Sequence, residues 1–274
     1  MTRKMRVTLR TSVAALLAIP FLVPFFFLIT MSIRTEADYR ADPVGLPTTF
    51  TWDHLTDAWE RADLGSGLVN SLITSAVGVV VACLVSMAAA YWFSIHRTRR
   101  ADRLRWAIVV GYAFPAVIWL IPLFVIAARN GLTNNLIVLG LVYGASNIPF
   151  GVYMIHSFYR QVLRSEIMDA AALDGAGTLQ TFRWIALPLA RPAVAALAAL
   201  VFVWSFGDLL FAVTFLQDSS KWTIPIAAAT LVSRQTITPQ GQAAAALVAL
   251  APSLVVVLVA QRALVRGFGG GSAD

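Results

Sequence analysis

Few residues of this chain have both the type and the spacing that catalysis requires. A P-loop ATPase needs a glycine-rich turn that ends in Lys-Ser or Lys-Thr, and neither Lys4 nor Lys221 follows such a turn. The single cysteine, Cys83, lies inside an apolar run, so this chain alone can form neither a disulfide framework nor a Cys-ligated zinc site. Three histidines lie far apart without metal-ligand spacing: His54, His96 and His156. We therefore predict no catalytic residue, no metal site and no cofactor bound by this chain.

One acidic residue, Asp208, has a position that ion coupling could use. Carriers driven by protons or sodium place ionisable side chains in mid-membrane, and Asp208 is the only acid near the interior of an apolar run. A helix that begins near Ile185 reaches the far interface after about 20 residues, so Asp208 can also be interpreted as an interfacial residue. The sequence indicates a conduit whose energy source lies in another chain.

Composition and charge favour a membrane protein. Of the 274 residues, 58% are apolar and 13% charged, and the mean hydropathy is +0.74. A soluble domain carries about 25% charged residues and under half apolar ones, which excludes a water-soluble globular enzyme. The net charge of +7 comes mainly from arginines that lie between apolar runs. This arrangement favours basic loops of a membrane protein over a nucleic-acid-binding surface.

Five uncharged stretches are long enough to cross about 30 Å of hydrocarbon as helices, and a sixth becomes long enough if it begins near Ile185, with Arg191 in its first turns. The predicted fold class is therefore all-α, a polytopic membrane protein with six transmembrane helices in a single domain over residues 1–274. The predicted spans cover residues 11–33, 66–95, 106–128, 134–158, 185–207 and 240–262, and a cytoplasmic segment covers residues 160–184.

Basic residues set the predicted orientation. Fifteen of the 21 lie in the N-terminal tail, around residues 97–105, in residues 160–191 and in the C-terminal tail. The alternate loops hold the other six, and the largest of these loops, residues 34–63, carries seven acids. Because cytoplasmic loops are enriched in Lys and Arg, we expect a multi-pass plasma-membrane protein with both termini in the cytoplasm.

The segment between the fourth and fifth spans has the most specific pattern. Ser165 is predicted to cap a short helix whose first turns carry Glu166 and Asp169, where the helix dipole favours negative charge. Gly175 is predicted to end that helix in a left-handed conformation, and Thr178 to cap a second helix that leads into the fifth span. The alanine side of this helix–turn–helix is low in relief and could fit a cleft on a partner.

These residues resemble the coupling motif of ATP-binding-cassette importer permeases. The acidic-Ala-Ala, Gly and Ile-x-Leu-Pro groups of that motif fit without a gap at Asp169-Ala170-Ala171, Gly175 and Ile185–Pro188. The surrounding sequence is similar to the carbohydrate branch, specifically to the second, six-span permease of maltose-type importers. The similarity extends to Asn70-Ser71, Phe206–Leu210 and Ala260–Gly267.

Three features depart from the family pattern. The motif opens with Asp169 where Glu is usual, although this shorter carboxylate can still reach the same partner. The fifth-span signature reads Phe206-Gly207-Asp208 in place of Trp-Asn-Asp. The tail at residues 269–274 is short and glycine-rich, which argues against its insertion between ATPase subunits.

The resemblance implies the type I importer permease fold and a subunit that is not an enzyme by itself. The chain would pair with a second homologous permease, two ATPase subunits and an extracytoplasmic substrate-binding protein or lipoprotein. ATP and magnesium would bind to the ATPase subunits, and the cargo would be a sugar of the size of a di- or oligosaccharide. The ATPase-coupling residues would be Glu166, Asp169, Ala170, Ala171, Asp174 and Gly175.

Two further groups of residues are candidates for contact with the binding protein or the cargo. The loop between the fifth and sixth spans resembles the position from which maltose-type permeases reach into the binding protein, although an ordinary polar connection would look the same. Its candidate donors and acceptors are Arg234, Gln235, Thr238 and Gln240. Aromatic faces and an amide in the spans suit a neutral polyol, but aromatics in spans also serve as packing or interface anchors. The candidate path residues are Tyr112, Trp119, Asn147, Trp204 and Asp208.

Other functions stay open at this point. The chain could be a permease for another small solute, such as a glycerol-phosphate-like compound, a polyamine or a peptide. It could also be a self-sufficient channel or an ion-coupled secondary carrier. An anionic cargo would require basic residues along the path, and the spans contain almost none. The sequence therefore favours a neutral solute, with membrane lipid as the surroundings and no nucleic-acid partner.

Overall fold

The computed structural model describes residues 3–233 and 238–268, and their regular structure is helical. In chain order the helices are α1 (Arg3–Ile33), α2 (Glu36–Ala41), α3 (Asp53–Arg61), α4 (Leu64–Ile95), α5 (Arg99–Gly111), α6 (Val117–Arg129), α7 (Leu136–Val162), α8 (Ser165–Leu173), α9 (Thr178–Thr181), α10 (Leu187–Gly207), α11 (Leu210–Phe215), α12 (Ile224–Ser233) and α13 (Pro239–Phe268). A π-helical turn, Phe182–Ala186, joins α9 to α10. The prediction of an all-α protein is confirmed.

Contacts divide the chain into two compact units, of which the first comprises residues 1–65 and 227–251. In this unit the loop after α1 folds around Arg34, whose buried guanidinium donates to the carboxylate of Asp38 (3.1 Å) and to the carbonyl of Asp42 (2.9 Å). Thr48 also donates to the Asp38 carboxylate (2.6 Å). The hydrogen bond from Thr48 is the main reason why the pKa of Asp38 lies below its ordinary value, and Arg34 lowers this pKa further. The acid-rich loop thus folds around a buried charge.

The second unit comprises residues 66–226 and 252–274. Its largest apolar core joins α4, α7 and α10. Glycines bring α4 and α7 close together: a Cβ built on Gly140 would lie 2.6 Å from Cβ of Val77, and one on Gly144 would lie 2.6 Å from Cβ of Val81. Close backbone approach through small residues is how membrane helices gain packing contacts, since lipid provides no hydrophobic drive between them.

The third predicted span, residues 106–128, is not a single helix, and that part of the prediction is wrong. α5 and α6 occupy the stretch and are separated by residues 112–116, which form turns. The cause is Pro115, which has no backbone N–H and disfavours the helical conformation at Phe114. Backbone N–H groups before the proline still find carbonyls three residues earlier: those of Tyr112, Ala113 and Phe114.

The other predicted spans correspond to long helices. Among the described residues, five helices are long and apolar enough to cross a membrane, and α6 is a shorter apolar helix. α4, α7 and α10 lie within four residues of the predicted bounds at both ends, whereas α1 begins earlier and α13 ends later than predicted. The helix at the fifth predicted span is also longer than expected. Here α9, the π-helical turn and α10 form one continuous helix of 30 residues from Thr178 to Gly207.

We expect Gly144→Ala to destabilise the protein by about 1–3 kcal/mol, because the new methyl group would force α4 and α7 apart in a close-packed interface. The matched control is Gly207→Ala, since a Cβ on Gly207 meets nothing within 4 Å. Thermal unfolding in detergent, followed by loss of the monodisperse species on size-exclusion chromatography, measures both. Equal midpoints for the two variants would contradict the close approach.

Candidate functional site

A cavity of about 680 Å³ lies in the second unit, against the break between α5 and α6. The walls come from this break, from α6, α7 and α10, and from the residues that follow α10. All five residues that the sequence suggested for a path line this one cavity: Tyr112, Trp119, Asn147, Trp204 and Asp208. They are separated by up to 96 positions in the chain and are brought together by helix packing.

Asp208 joins three elements at one end of the cavity. It follows the last residue of α10, and its Oδ1 accepts hydrogen bonds from the hydroxyl of Tyr143 (2.9 Å) and from the backbone N–H groups of Phe211 (2.9 Å) and Ala212 (3.2 Å). The carboxylate therefore satisfies the free donors at the start of α11 and ties α11 to α7. Sequence reasoning missed Tyr143, whose only signal was its position one helical turn before Asn147.

Aromatic rings give the cavity its apolar surface. Tyr112 is 50% exposed, Trp119 50% and Trp204 42%. The rings of Tyr112 and Trp204 both contact Phe150, at centroid distances of 5.3 Å. Because such half-exposed faces can stack on a ring or an aliphatic surface, this wall suits an organic solute with both apolar and polar faces.

Polar groups of the cavity are few and almost uncharged. The Asn147 side-chain N–H bonds to the carbonyl of Tyr143 (2.9 Å), and Ser146 bonds within α7 in the same way. Asp208 is the only charged residue among those that line the cavity, and none of them is Lys, Arg or His. The cavity offers hydrogen-bonding groups and one carboxylate, so it lacks the basic groups that a phosphate or carboxylate ligand would need.

A second candidate site projects from the same unit as the helix–turn–helix of α8 and α9. Gly175 has φ of +75°, as predicted for the end of α8. The N–H of Gly175 bonds to the carbonyl of Ala172 (3.0 Å) and the N–H of Ala176 to that of Ala171 (2.9 Å), which is the Schellman arrangement that satisfies the last carbonyls of a helix.

Both predicted N-caps of this segment are wrong. Arg164 and Gly177 have the extended backbone that precedes α8 and α9, whereas Ser165 and Thr178 are the first helical residues. At α9 the free backbone N–H of Gly177 is satisfied instead from within the helix, by the side-chain oxygen of Gln180 (2.8 Å).

Most of the predicted coupling residues are exposed. Ala171 is buried, whereas the other five lie on the surface: Glu166, Asp169, Ala170, Asp174 and Gly175. Two leucines that sequence reasoning missed are also exposed, Leu173 by 89% and Leu179 by 77%. The projection therefore exposes both apolar and acidic side chains, which a partner protein could contact.

The projection is anchored to the membrane helices. The hydroxyl of Tyr91 in α4 donates to the carbonyl of Thr178 (3.1 Å), and its ring lies 5.1 Å from that of Phe182. Met168 packs against the core that α4, α7 and α10 share. The 30 residues from Thr178 to Gly207 would span about 45 Å as a helix. One continuous helix, called the helical rod below, therefore connects the projection to Asp208 in the cavity wall.

The predicted loop after the fifth span is only partly described. Arg234 and Gln235 lie outside the described residues. Thr238 precedes α13 and caps it, accepting from the N–H of Gly241 (3.3 Å). The prediction that Gln240 lies in this loop is wrong, because α13 already begins at Pro239, and the Gln240 side chain is fully buried.

Comparison with known proteins identifies a matching family and similar permeases. Residues 82–270 match the family described as binding-protein-dependent transport system inner membrane component. The chain is 28% identical over 271 residues to the melibiose/raffinose/stachyose import permease protein MelC of Bacillus subtilis (strain 168), covering 99% of this chain and 97% of that protein. It is 30% identical over 253 residues to the trehalose transport system permease protein SugB of Mycobacterium tuberculosis (strain CDC 1551 / Oshkosh), covering 92% of each.

A solved structure has the same fold. It is a chain of a bacterial ABC transporter involved in the import of the acidic polysaccharide alginate, and the TM-score is 0.78 with 20% sequence identity. The match covers 96% of this chain and 98% of that chain. The predicted type I importer permease fold is confirmed.

We expect Asp208→Ala to lower the free energy of unfolding by about 1–3 kcal/mol, because it leaves a buried hydroxyl and two backbone N–H groups without an acceptor. Asp208→Asn keeps an oxygen at the same place and should lose much less. Tyr143→Phe removes one donor and should cost about 0.5–1.5 kcal/mol. Thermal unfolding of the purified protein in detergent provides the comparison. Equal losses for the Ala and Asn variants would show that the carboxylate oxygen does not hold α11.

Proposed function

We propose that this chain is the permease subunit through which an ATP-driven importer moves a neutral di- or oligosaccharide. The chain belongs to the family of binding-protein-dependent transport system inner membrane components. The observation that carries this proposal is the cavity, which combines exposed aromatic faces with uncharged hydrogen-bonding groups, one carboxylate and no basic residue. Sugars present apolar ring faces and hydroxyl groups, and this lining is complementary to both. Two relatives are named as permeases for raffinose-type sugars and for trehalose.

Each of the five predicted path residues has a proposed role. Trp119, Trp204 and Tyr112 stack on sugar rings, while Asn147 and the second carboxylate oxygen of Asp208 bond hydroxyl groups. A volume of about 680 Å³ lies within the range of about 300–1,000 Å³ that is usual for small-molecule sites. The cavity can therefore hold a sugar of the proposed size.

The energy source in this proposal is a pair of ATPase subunits that bind ATP and magnesium. The chain pairs with a second homologous permease, and an extracytoplasmic binding protein delivers the sugar. Arg234, Gln235 and Thr238 are proposed to contact that binding protein. The excess of basic residues in the tails and in residues 97–105 and 160–191 supports an orientation with both termini and the α8–α9 projection in the cytoplasm.

Coupling would run through the projection. α8 docks in a cleft of an ATPase subunit through its exposed leucine and carboxylates, and closure of the ATPases on ATP displaces it as a rigid body. The Schellman turn at Gly175 keeps α8 at a fixed angle to α9, so the displacement reaches the rod that ends at Asp208. Such a device needs inward-open and outward-open states that differ by only a few kcal/mol.

Transport by proteoliposomes tests the cargo. With the complete complex and binding protein, we expect ATP-dependent uptake of a radiolabelled sugar from a panel that includes trehalose, melibiose and raffinose. Trp204→Ala should reduce uptake at low sugar by about 2- to 10-fold, whereas Trp204→Phe keeps an aromatic face and should lose less. Uptake that persists without ATP, or that is specific for glycerol 3-phosphate or putrescine, would contradict the proposal.

Substitutions at Gly175 test the coupling. Gly175→Val should strongly reduce substrate-stimulated ATPase activity, because a β-branched residue is strained at positive φ, whereas Gly175→Asn should keep most of it. Nothing lies within 4 Å of a Cβ at this position, so the effect would come from the backbone alone. The control is Gly177→Ala, where φ is −69°. Normal stimulation in an assembled Gly175→Val complex would exclude this coupling route.

A further inference from the structure

The outward face of α5 changes character along its length. Arg99 and Arg103 lie near its beginning, Trp106 follows, and Val110 lies near its end. These residues are spaced by three or four positions and share one face of the helix. All four are exposed, Trp106 by 55% and Val110 by 51%. One helix face thus passes from cationic to aromatic to aliphatic.

The opposite face of α5 is used for packing. Ala101 is buried with Phe93 of α4 and Val152 of α7, and Ile108 packs against the same cluster. Because this contact fixes the rotation of α5, the face with Arg99, Arg103 and Trp106 must point away from the second unit. Its exposure is a consequence of the core and not of a loose helix.

Positive charge is concentrated at the beginning of this face. Residues 97–105 contain five arginines and one acid. That acid, Asp102, pairs with Arg105 at 3.6 Å. Among the described residues, none forms an ion pair with Arg99, Arg100 or Arg103 at 4.0 Å or less. Three guanidinium groups are therefore available to an anion outside the chain.

Exposed tryptophan rings lie next to these arginines, as is typical of the interface between lipid headgroups and acyl chains. Trp92, in the last turns of α4, is 43% exposed and stacks on His96 at 4.5 Å. The guanidinium of Arg105 lies over the Trp106 ring at 5.1 Å. Tryptophan is enriched where headgroups meet acyl chains. Val110 follows Arg99 by 11 positions, a helical rise of about 16 Å, which is comparable to one leaflet of about 15 Å of hydrocarbon.

We propose that this face of α5, together with the neighbouring Arg100, binds anionic phospholipid, with the lipid phosphates on Arg99, Arg100 and Arg103 and the acyl chains along Trp106 and Val110. Lysine and arginine clusters beside a membrane helix attract anionic lipids, and arginine binds phosphate through paired N–H donors. The exposed apolar end of the face favours lipid over an ATPase subunit, because a partner in water would leave Trp106 and Val110 uncovered. The same end favours lipid over free phosphate, which has no acyl chain. This site is independent of which solute is transported.

Quenching of Trp106 fluorescence by brominated lipids tests the proposal in the complete reconstituted transporter. The Trp106 signal is the difference between the wild-type protein and Trp106→Phe. We expect brominated phosphatidylglycerol to quench this signal more than brominated phosphatidylcholine. The preference should fall by about fivefold for each arginine replaced in the series Arg99→Gln, Arg100→Gln and Arg103→Gln.

Matched variants separate charge at this site from charge in general. The triple variant with Arg40→Gln, Arg129→Gln and Lys221→Gln removes three positive charges elsewhere and should keep the preference. Replacement of the three α5 arginines by lysine should keep most of it. In the wild-type protein the preference should weaken between about 0.05 M and about 0.5 M salt, because exposed charges are screened. An excess of inorganic phosphate should not abolish it.

Several results would overturn the proposal. Equal quenching by the two lipids in the wild-type protein would do so, as would an unchanged preference in the glutamine triple variant. Loss of copurifying ATPase subunits from that variant, with the lipid preference intact, would assign the face to a protein partner. If the glutamine variant does not fold, the lysine variant and the salt series decide: a preference insensitive to salt excludes charge recognition by these arginines.

Discussion

The structure of the second unit depends on one constraint: in the membrane, where water is absent, backbone N–H and C=O groups must find hydrogen-bond partners within the protein. In the hydrocarbon region an irregular backbone is tolerated only where protein covers it or where it lines a cavity. The break around Pro115 and the end of α10 at Asp208 both lie on the cavity wall. At the break around Pro115, tight turns provide carbonyl acceptors for the backbone N–H groups. At the end of α10, the Asp208 carboxylate is the acceptor for backbone N–H groups of α11. The cavity and the helix breaks are therefore one feature.

Rigidity links this cavity to the surface. Gly175 places α8 at a fixed angle, and Tyr91 and Phe182 anchor the turn that follows. The helical rod then continues to Asp208 without a flexible connection. A π-helical turn at residues 182–186 and Pro192 inside α10 interrupt the regular hydrogen bonding of this helix, and π-helical turns are frequent at functional positions.

Charge is distributed to match these different surroundings. Around the cavity a single carboxylate accepts hydrogen bonds from Tyr143 and the α11 backbone. On the projection, carboxylates lie beside exposed leucines. On α5, arginines precede Trp106 and an aliphatic end. Burying unpaired charge is costly, so each charged surface lies where water, a partner or a lipid headgroup can solvate it.

The sequence alone determined the features that depend on neighbours in the chain. Hydropathy located the five long apolar helices of the described residues, and the spacing around Asp169 and Gly175 identified the family and the left-handed turn, because these follow from local composition and backbone sterics. Local rules failed at Ser165 and Gln240, where a one- or two-residue shift in a helix start moved the cap or buried the side chain. Only the tertiary structure decided which helices are neighbours. The glycine seams and Pro115 set that packing, and it alone assembled the cavity from distant residues: Tyr112, Trp119, Tyr143, Asn147, Trp204 and Asp208.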